Sequence, residues 1–236
     1  ATQLISRIRE AFSIEIPLRE LFESPTVASL HQTLTQLRNS KTLPPIQPRI
    51  ETGEFRLSWA QERLWFIDQL QGKSAIYNMP GAFRISGNLD IHALQQALSS
   101  IVQRHEVLRT NFQTANGTPT QVIHPEANIK INLVDLQQLE TTQRETLVNK
   151  QVQQEATTPF DLENAPLIRC RLLQLSSEEY VLLITMHHII SDGWSIGVLI
   201  RELSSLYQAF TQEKPSPLPE LPIQYADFAV WQRQYL

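Results

Sequence analysis

The stretch that decides the fold is residues 181–195, VLLITMHHIISDGWS. Its first six residues are apolar or β-branched, which predicts a buried strand. The strand ends in two adjacent histidines, His187 and His188, and the pair Asp192–Gly193 is expected to turn the chain. Apolar residues at helical spacing follow, which predicts a helix that runs to Phe210.

The two histidines are expected to point in opposite directions, because neighbouring residues of a strand face opposite sides of the sheet. One imidazole should be packed and hydrogen-bonded, and the other should be free for chemistry. Asp192 lies beyond the strand, where its carboxylate can pair with an arginine or accept hydrogen bonds from backbone amides. Gly193 permits a positive φ or the close approach of a ligand.

Composition narrows the class of protein. The chain has 236 residues, 42% of them hydrophobic, and a net charge of -4. It has no evident basic patch, so nucleic acid is not an expected partner. Its one cysteine, Cys170, lies in a strand-like run and is expected to be a buried, inert thiol. No apolar run reaches membrane-spanning length and no signal peptide is evident, so we expect a cytoplasmic protein without a membrane partner.

The first 54 residues divide into a helical segment and a linker. Residues 1–38 predict three short helices, the second starting at Pro17 and the third using Ser24 and Pro25 as N-cap and first turn. This segment is too small to form a core of its own. Residues 39–54 contain three prolines within five positions, which predicts an extended spacer and a domain boundary.

From Phe55 the pattern alternates between strands and helices, which predicts a mixed α/β fold. Ser58 and Gln61 form a capping box for a helix through Leu70. Further helices are predicted from Asp90, over 136–157 and over 225–231, and a Pro-rich loop over 214–222. Strands are predicted at 77–85, at 131–133, in a hairpin of 108–114 and 119–124 around Asn116–Gly117, and in an antiparallel pair of 167–175 and 180–187.

Four stretches in order resemble the first four core motifs of nonribosomal peptide synthetase condensation domains: residues 58–65, 104–112, 186–195 and 225–231. The third, His-His-x-x-x-Asp-Gly, is also shared with chloramphenicol acetyltransferase and the dihydrolipoyl acyltransferases. The resemblance covers residues 55–236. It implies an α/β lobe of mixed sheet with flanking helices, similar to chloramphenicol acetyltransferase, preceded by a short all-α carrier-protein remnant.

The resemblance also implies an incomplete domain. Condensation domains have two lobes with the active site in a tunnel between them, and this chain carries the motifs of the first lobe. We therefore expect residues 55–236 to be the N-terminal lobe, the C-terminal lobe to be a missing partner, and the chain to form no product alone.

Residues 1–38 resemble the second half of a peptidyl carrier domain. The Gly-Gly-x-Ser stretch that carries the phosphopantetheine serine does not occur, and neither Ser6 nor Ser13 has such a context. We therefore expect no cofactor on this chain. By resemblance, the substrates arrive on the 4'-phosphopantetheine arms of partner carrier domains, one donor and one acceptor.

The family reaction is attack by the amine of an acceptor aminoacyl thioester on the carbonyl of a donor thioester. By resemblance the catalytic set is His188, His187 and Gly193. His188 faces the tunnel, where it accepts the amine proton or positions the amine, and both roles stay open. His187 points into the fold, and the backbone N–H of Gly193 can approach the reacting centre.

Asp192 is expected to be structural rather than catalytic. By resemblance its partner is Arg104 or Arg109, and losing either partner would leave a buried charge, which costs about 3–5 kcal/mol. The aromatic residues of the last stretch, Tyr225, Phe228 and Trp231, are expected to lie mostly in the core.

The same residues bear on several alternative functions. An epimerisation domain shares the His-His motif but differs in the first two stretches, so it ranks second. A carrier-docking module without chemistry is a third interpretation. Heterocyclisation domains replace the histidines by aspartates and are excluded. Metal binding is disfavoured because the two imidazoles diverge, and the Gly-x-Ser-x-Gly motif of many serine hydrolases does not occur. Residues 69–80 resemble domains that join two L-configured residues.

Overall fold

The computed structural model describes residues 2–12, 14, 16–37, 43–50, 53–115 and 117–236. It divides into two compact units, Ala1–Pro45 and Ile46–Leu236. Three predictions fall partly or wholly outside the described residues: Ser13, residues 39–42 and 51–52 of the linker, and Asn116 of the predicted turn.

The first unit contains three helices in its described residues: α1 (Thr2–Phe12), α2 (Leu18–Glu23) and α3 (Val27–Leu37). The predicted N-cap of α3 is wrong. Thr26 and Ser29 cap it instead, because each accepts the other's backbone N–H on its side-chain oxygen, both at 3.1 Å. The hydroxyl of Ser24 lies 2.8 Å from that of Thr33.

The second unit is built from helices and strands in alternation. The described helices are α4 (Trp59–Gln71), α5 (Ile91–Arg104), a 3-10 helix (Glu106–Arg109), α6 (Thr141–Thr157), α7 (Gly193–Phe210) and α8 (Tyr225–Tyr235). The described strands are β1 (Glu54–Arg56), β2 (Asn78–Ser86), β3 (Thr110–Ala115), β4 (Thr118–Ile123), β5 (Ile131–Asp135), β6 (Ile168–Gln174) and β7 (Glu179–His187).

These strands form two sheets. The larger has the order β2-β7-β6-β5, with β5 and β6 parallel and the other pairs antiparallel. The smaller has the order β1-β4-β3 and is antiparallel. β3 and β4 form the predicted hairpin, and Gly117 has φ +77°, a conformation that favours glycine.

Strand β7 is buried on both faces. Leu182, Ile184 and Met186 belong to the main core with α5 and α7. Val181 and Leu183 face a second cluster that includes Val148 of α6. Burial of each of these side chains contributes about 1.5–3 kcal/mol. Strand β7 is therefore a rigid central support for the residues that follow His187.

Two further predictions concern β5 and β6. The predicted helix over 136–157 begins later, at Thr141, because the backbone N–H of Leu136 still donates to Gln174 at 2.9 Å. Cys170 is buried as predicted, and burial raises the pKa of its thiol to about 12.

Among the described residues, no helix has the length and apolarity needed to cross a membrane.

Ion pairs and a cation–π contact of two arginines hold helix α8 against the rest of this unit. Arg233 lies over the ring of Trp59, 3.6 Å from its centroid, and pairs with Glu62. Arg49 pairs with Asp227 of α8 at 2.8 Å and with Glu106 at 2.5 Å. These contacts hold the last of the four stretches against the first two.

Candidate active site

The second unit contains a cavity of about 690 Å³ to which all four stretches contribute. Arg63 comes from the first, His105 from the second, His188 and Asp192 from the third, and Tyr225 from the fourth. Residues that lie far apart in the sequence therefore line a single cavity.

His187 lies behind the cavity and does not line it. It is 2% exposed, its Nδ1 accepts the backbone N–H of Ile189 at 3.1 Å, and the rings of Tyr77 and Phe160 approach it edge-on. Burial, with a smaller contribution from His188, lowers its pKa to about 4. His187 is therefore a neutral, packed imidazole, as strand alternation predicts.

His188 is exposed and lines the cavity. Its backbone N–H donates to the carbonyl of Tyr77 at 2.9 Å, which extends the pairing of β2 and β7 by one residue. Its Nδ1 lies 2.6 Å from the carbonyl oxygen of Ser191. Because a carbonyl oxygen can only accept, Nδ1 carries the hydrogen, and the lone pair of the neutral ring is on Nε2.

The reversal of the chain differs slightly from the prediction. It occurs at residues 188–190, directly after β7, and Asp192 and Gly193 begin α7. Asp192 is the N-cap: its Oδ1 accepts the backbone N–H of Ser195 at 2.8 Å and its hydroxyl at 2.6 Å. Burial acts to raise the pKa of Asp192, but these hydrogen bonds outweigh it, so the pKa is lowered.

The predicted ion pair between Asp192 and an arginine is wrong. Arg104 pairs with Glu202 at 3.4 Å, and Arg109 lies 3.8 Å from Glu106 and donates to the carbonyl of His124. The reason is the position along α7. The end of α5 lies against the middle of α7, where Glu202 is, whereas Asp192 is at the start of α7 and its carboxylate caps the helix.

Gly193 is the first residue of α7, and its backbone does not have a positive φ. Apart from its chain neighbours and the backbone of its own helix, no atom of the described residues lies within 4 Å of where a Cβ would be, so the space beside it is open. The first backbone N–H groups of a helix lack partners within the helix and attract anions. A role for the Gly193 N–H in stabilising an oxyanion stays a prediction.

Two aromatic side chains that line the cavity were not predicted from sequence to be site residues. Trp194 lines the cavity and is 76% exposed. Tyr225 also lines it, and its hydroxyl lies 3.0 Å from that of Ser58. Burial raises the pKa of Tyr225, and the charge of Asp192 raises it further. Both belong to the quoted motifs, but an aromatic residue at helical spacing usually indicates a core position.

The prediction that the α8 aromatics lie mostly in the core is therefore wrong. Tyr225, Phe228 and Trp231 form a row of rings, with neighbouring centroids 5.6 and 6.2 Å apart, and Tyr225 is 37% exposed. The buried residues of α8 are instead Ala226, Asp227 and Ala229. Small residues let α8 approach its neighbours closely, which leaves the rings at the edge of the contact.

The described residues contain no group of three or more His, Cys, Asp or Glu side chains arranged to hold a metal ion. The chemistry available at the site is that of the imidazoles of His105 and His188, the carboxylate that caps α7, a phenol and a helix N-terminus. Such a set can move protons and stabilise developing negative charge.

Comparison with known proteins places this site in a family. Residues 51–236 match the family described as "Condensation domain", and residues 1–34 match the one described as "Phosphopantetheine attachment site". The chain therefore belongs to the condensation-domain family, and its N-terminal segment is related to carrier domains. Both assignments confirm the resemblance found by sequence.

Individual relatives and solved structures support the same family assignment. The chain is 44% identical over 236 residues to one of the subunits of the linear gramicidin synthase of Brevibacillus parabrevis, and it spans 5% of that protein's length. It resembles the X-domain of teicoplanin biosynthesis solved in complex with OxyB, with 28% identity and a TM-score of 0.73 over 83% of this chain and 41% of that one. It also resembles the first condensation domain of the calcium-dependent antibiotic synthetase in complex with substrate analogue 2a, with 25% identity and a TM-score of 0.65 over 70% of this chain and 39% of that one.

Proposed function

We propose that this chain supplies part of a condensation domain that forms an amide bond within a nonribosomal peptide synthetase. The observation that carries the proposal is His188. It is the accessible histidine of the third motif, it lines a cavity to which all four motifs contribute, and its Nε2 makes no hydrogen bond within the described residues.

The reaction proposed is acyl transfer between two thioesters. The amine nitrogen of the acceptor attacks the donor carbonyl, an N–C bond forms, and the C–S bond of the donor breaks. Nε2 of His188 accepts the proton that the amine loses, and the proton is finally returned to the departing thiolate. The N-terminus of α7, next to Gly193, is available to stabilise the oxyanion.

The partners proposed are a donor and an acceptor carrier domain, whose phosphopantetheine arms present the two thioesters. The match of residues 1–34 to carrier domains supports this. The Gly-Gly-x-Ser stretch does not occur in the chain, which supports arms borne by other segments. The solved domains extend beyond the matched region, since this chain spans 41% of the X-domain, which supports a second lobe as a further partner.

The test is incubation of the complete condensation domain that contains this chain with a loaded donor carrier and a loaded acceptor carrier. Mass spectrometry of the acceptor arm should detect the amide, and His188→Gln should remove it while the exposed His92→Gln does not. An inverted stereocentre without amide would identify an epimerisation domain instead.

One observation favours a second candidate, a docking module without chemistry. The X-domain, which is 28% identical to this chain, is described in complex with another protein, OxyB. Stable binding of loaded carriers or of a partner enzyme, with neither amide nor inversion, would favour this candidate over amide formation.

A further inference from the structure

The cavity contains a second histidine that the proposed reaction does not use. His105 follows α5 directly and lines the cavity. Its Nε2 lies 2.7 Å from Oε2 of Glu202, a residue of α7 that is 8% exposed. This is the arrangement in which a buried carboxylate holds an imidazole in one orientation.

The partner of His105 fixes its tautomer. Oε1 of Glu202 accepts a hydrogen bond from the guanidinium of Arg104 at 3.4 Å, so the carboxylate contacts both side chains. A carboxylate only accepts, so Nε2 of His105 carries a hydrogen and the lone pair of the neutral ring is on Nδ1. Within the described residues Nδ1 of His105 makes no hydrogen bond. It is also not among the buried polar atoms that lack a partner.

The charged groups near His105 come from several elements. Arg104 precedes it on α5, Glu106 and Arg109 follow it in the 3-10 helix, and Glu202 faces it from α7. Arg63, His188, Asp192 and Tyr225 face the same cavity. Glu202 is the carboxylate in contact with the ring, so the imidazolium form of His105 has a direct counter-ion.

We propose that His105, oriented by Glu202, takes the proton from the ammonium form of the acceptor amine before attack. The step is R–NH3+ plus neutral His105 giving R–NH2 plus the imidazolium of His105, with Glu202 as counter-ion. This inference rests on the proposed amide formation. It divides proton handling between two histidines: His105 makes the nucleophile neutral, and Nε2 of His188 serves the attack itself.

The division of roles predicts a particular pH dependence. An α-amine has a pKa of about 7.7–8.0, so roughly one tenth to one sixth of it is neutral at pH 7. Without His105, only this neutral fraction can react. His105→Gln should therefore lower kcat/KM for the acceptor about six- to tenfold at pH 7 and leave it within about twofold of the original at pH 9, where the amine is already neutral.

The experiment measures kcat/KM for the acceptor in the complete condensation domain from pH 6.5 to 9. His105→Gln is compared with two other variants. In His188→Gln, kcat/KM should be lowered at every pH. In His92→Gln, which changes an exposed residue, kcat/KM should equal that of the original protein at every pH. A pH-independent loss in His105→Gln, or no loss at pH 7, would overturn the inference. Absence of amide from the original protein would instead refute the proposed function.

A second measurement does not depend on turnover. NMR of the 236-residue chain labelled with 15N at histidine reports which ring nitrogen carries the hydrogen. The neutral ring of His105 should be protonated at Nε2, which leaves its lone pair on Nδ1. Protonation at Nδ1 would remove the base that the step requires and would overturn the inference even if His105→Gln were poorly folded.

Discussion

The imidazole of His188 donates its Nδ1–H to the carbonyl oxygen of Ser191 across 2.6 Å. The bond joins two residues three positions apart, so the turn after β7 itself selects the ring tautomer. His188 needs no distant carboxylate for this purpose, and its Nε2 is left as the acceptor. Because β7 is buried on both faces, the turn and the ring it holds have a rigid support.

His188→Ala should remove amide formation while the protein stays folded. General acid–base catalysis by one side chain contributes about 10²–10⁴-fold, so we expect a loss in that range in a mass-spectrometric rate assay. The side chain is exposed, so the melting temperature should change little. His92→Ala is the matched control. Undiminished product from His188→Ala would refute the assignment.

Asp192→Ala should act through the helix that it caps. Loss of an N-cap costs about 0.5–2 kcal/mol, which is smaller than the 3–5 kcal/mol expected for a broken buried ion pair. Urea denaturation should therefore show a loss of about 1 kcal/mol. Asp192→Asn retains a capping oxygen and should restore most of that stability. Activity in the Asn variant would identify capping as the main role, and inactivity with full stability would point to the negative charge.

Elements defined by local patterns could be predicted from sequence. Strand β7 and helix α7 follow from an apolar run and a helical repeat, and the opposite orientations of His187 and His188 follow from strand geometry. The capping box of Ser58 and Gln61 is a four-residue signal and is present as predicted. These features depend on neighbouring residues, so sequence alone contains the information.

Features that depend on distant contacts could not be predicted. The choice of Glu202 rather than Asp192 as the partner of Arg104 depends on where along α7 the end of α5 packs. The exposure of Tyr225 depends on the close approach made possible by Ala226 and Ala229. The order β5, α6, β6 favours the parallel pairing of these two strands, but the order of strands across the sheet depends on distant contacts.

The stability of the protein should fall as the pH drops from about 6.5 to 4, in part because of His187. Burial lowers the pKa of His187 to about 4, against 6.5 for a free histidine. Between these values the unfolded chain binds a proton that the folded chain does not, so acidification favours unfolding. The contribution is at most about 3 kcal/mol.

Urea denaturation at several pH values measures this contribution. His187→Asn retains an acceptor for the Ile189 N–H but does not titrate, so the loss of stability between pH 6.5 and 4 should be smaller in this variant. His92→Asn, at an exposed position of α5, should leave the pH dependence unchanged. An equal pH dependence in the original protein and in His187→Asn would contradict the assignment.

Asp227→Ala should be among the most destabilising single changes in the second unit. The carboxylate is 4% exposed and accepts from the Arg49 guanidinium at 2.8 Å, from the Arg49 backbone at 3.1 Å and from the Gln224 backbone at 2.7 Å. Removing one member of a buried pair costs about 3–5 kcal/mol because the other charge is left uncompensated. Arg49 keeps Glu106 as a second partner, so we expect a value near 3 kcal/mol.

A double-mutant cycle measured by urea denaturation separates this charge effect from lost packing. If the uncompensated guanidinium causes the loss, the combination Arg49→Met with Asp227→Leu should be less destabilised than the sum of the two single changes. Arg84→Ala, which breaks an exposed pair with Glu145, is the matched control and should cost less than about 1 kcal/mol. Strict additivity of the Arg49 and Asp227 changes would show that they do not act as a pair, and α8 would then be held by its packing and by Arg233.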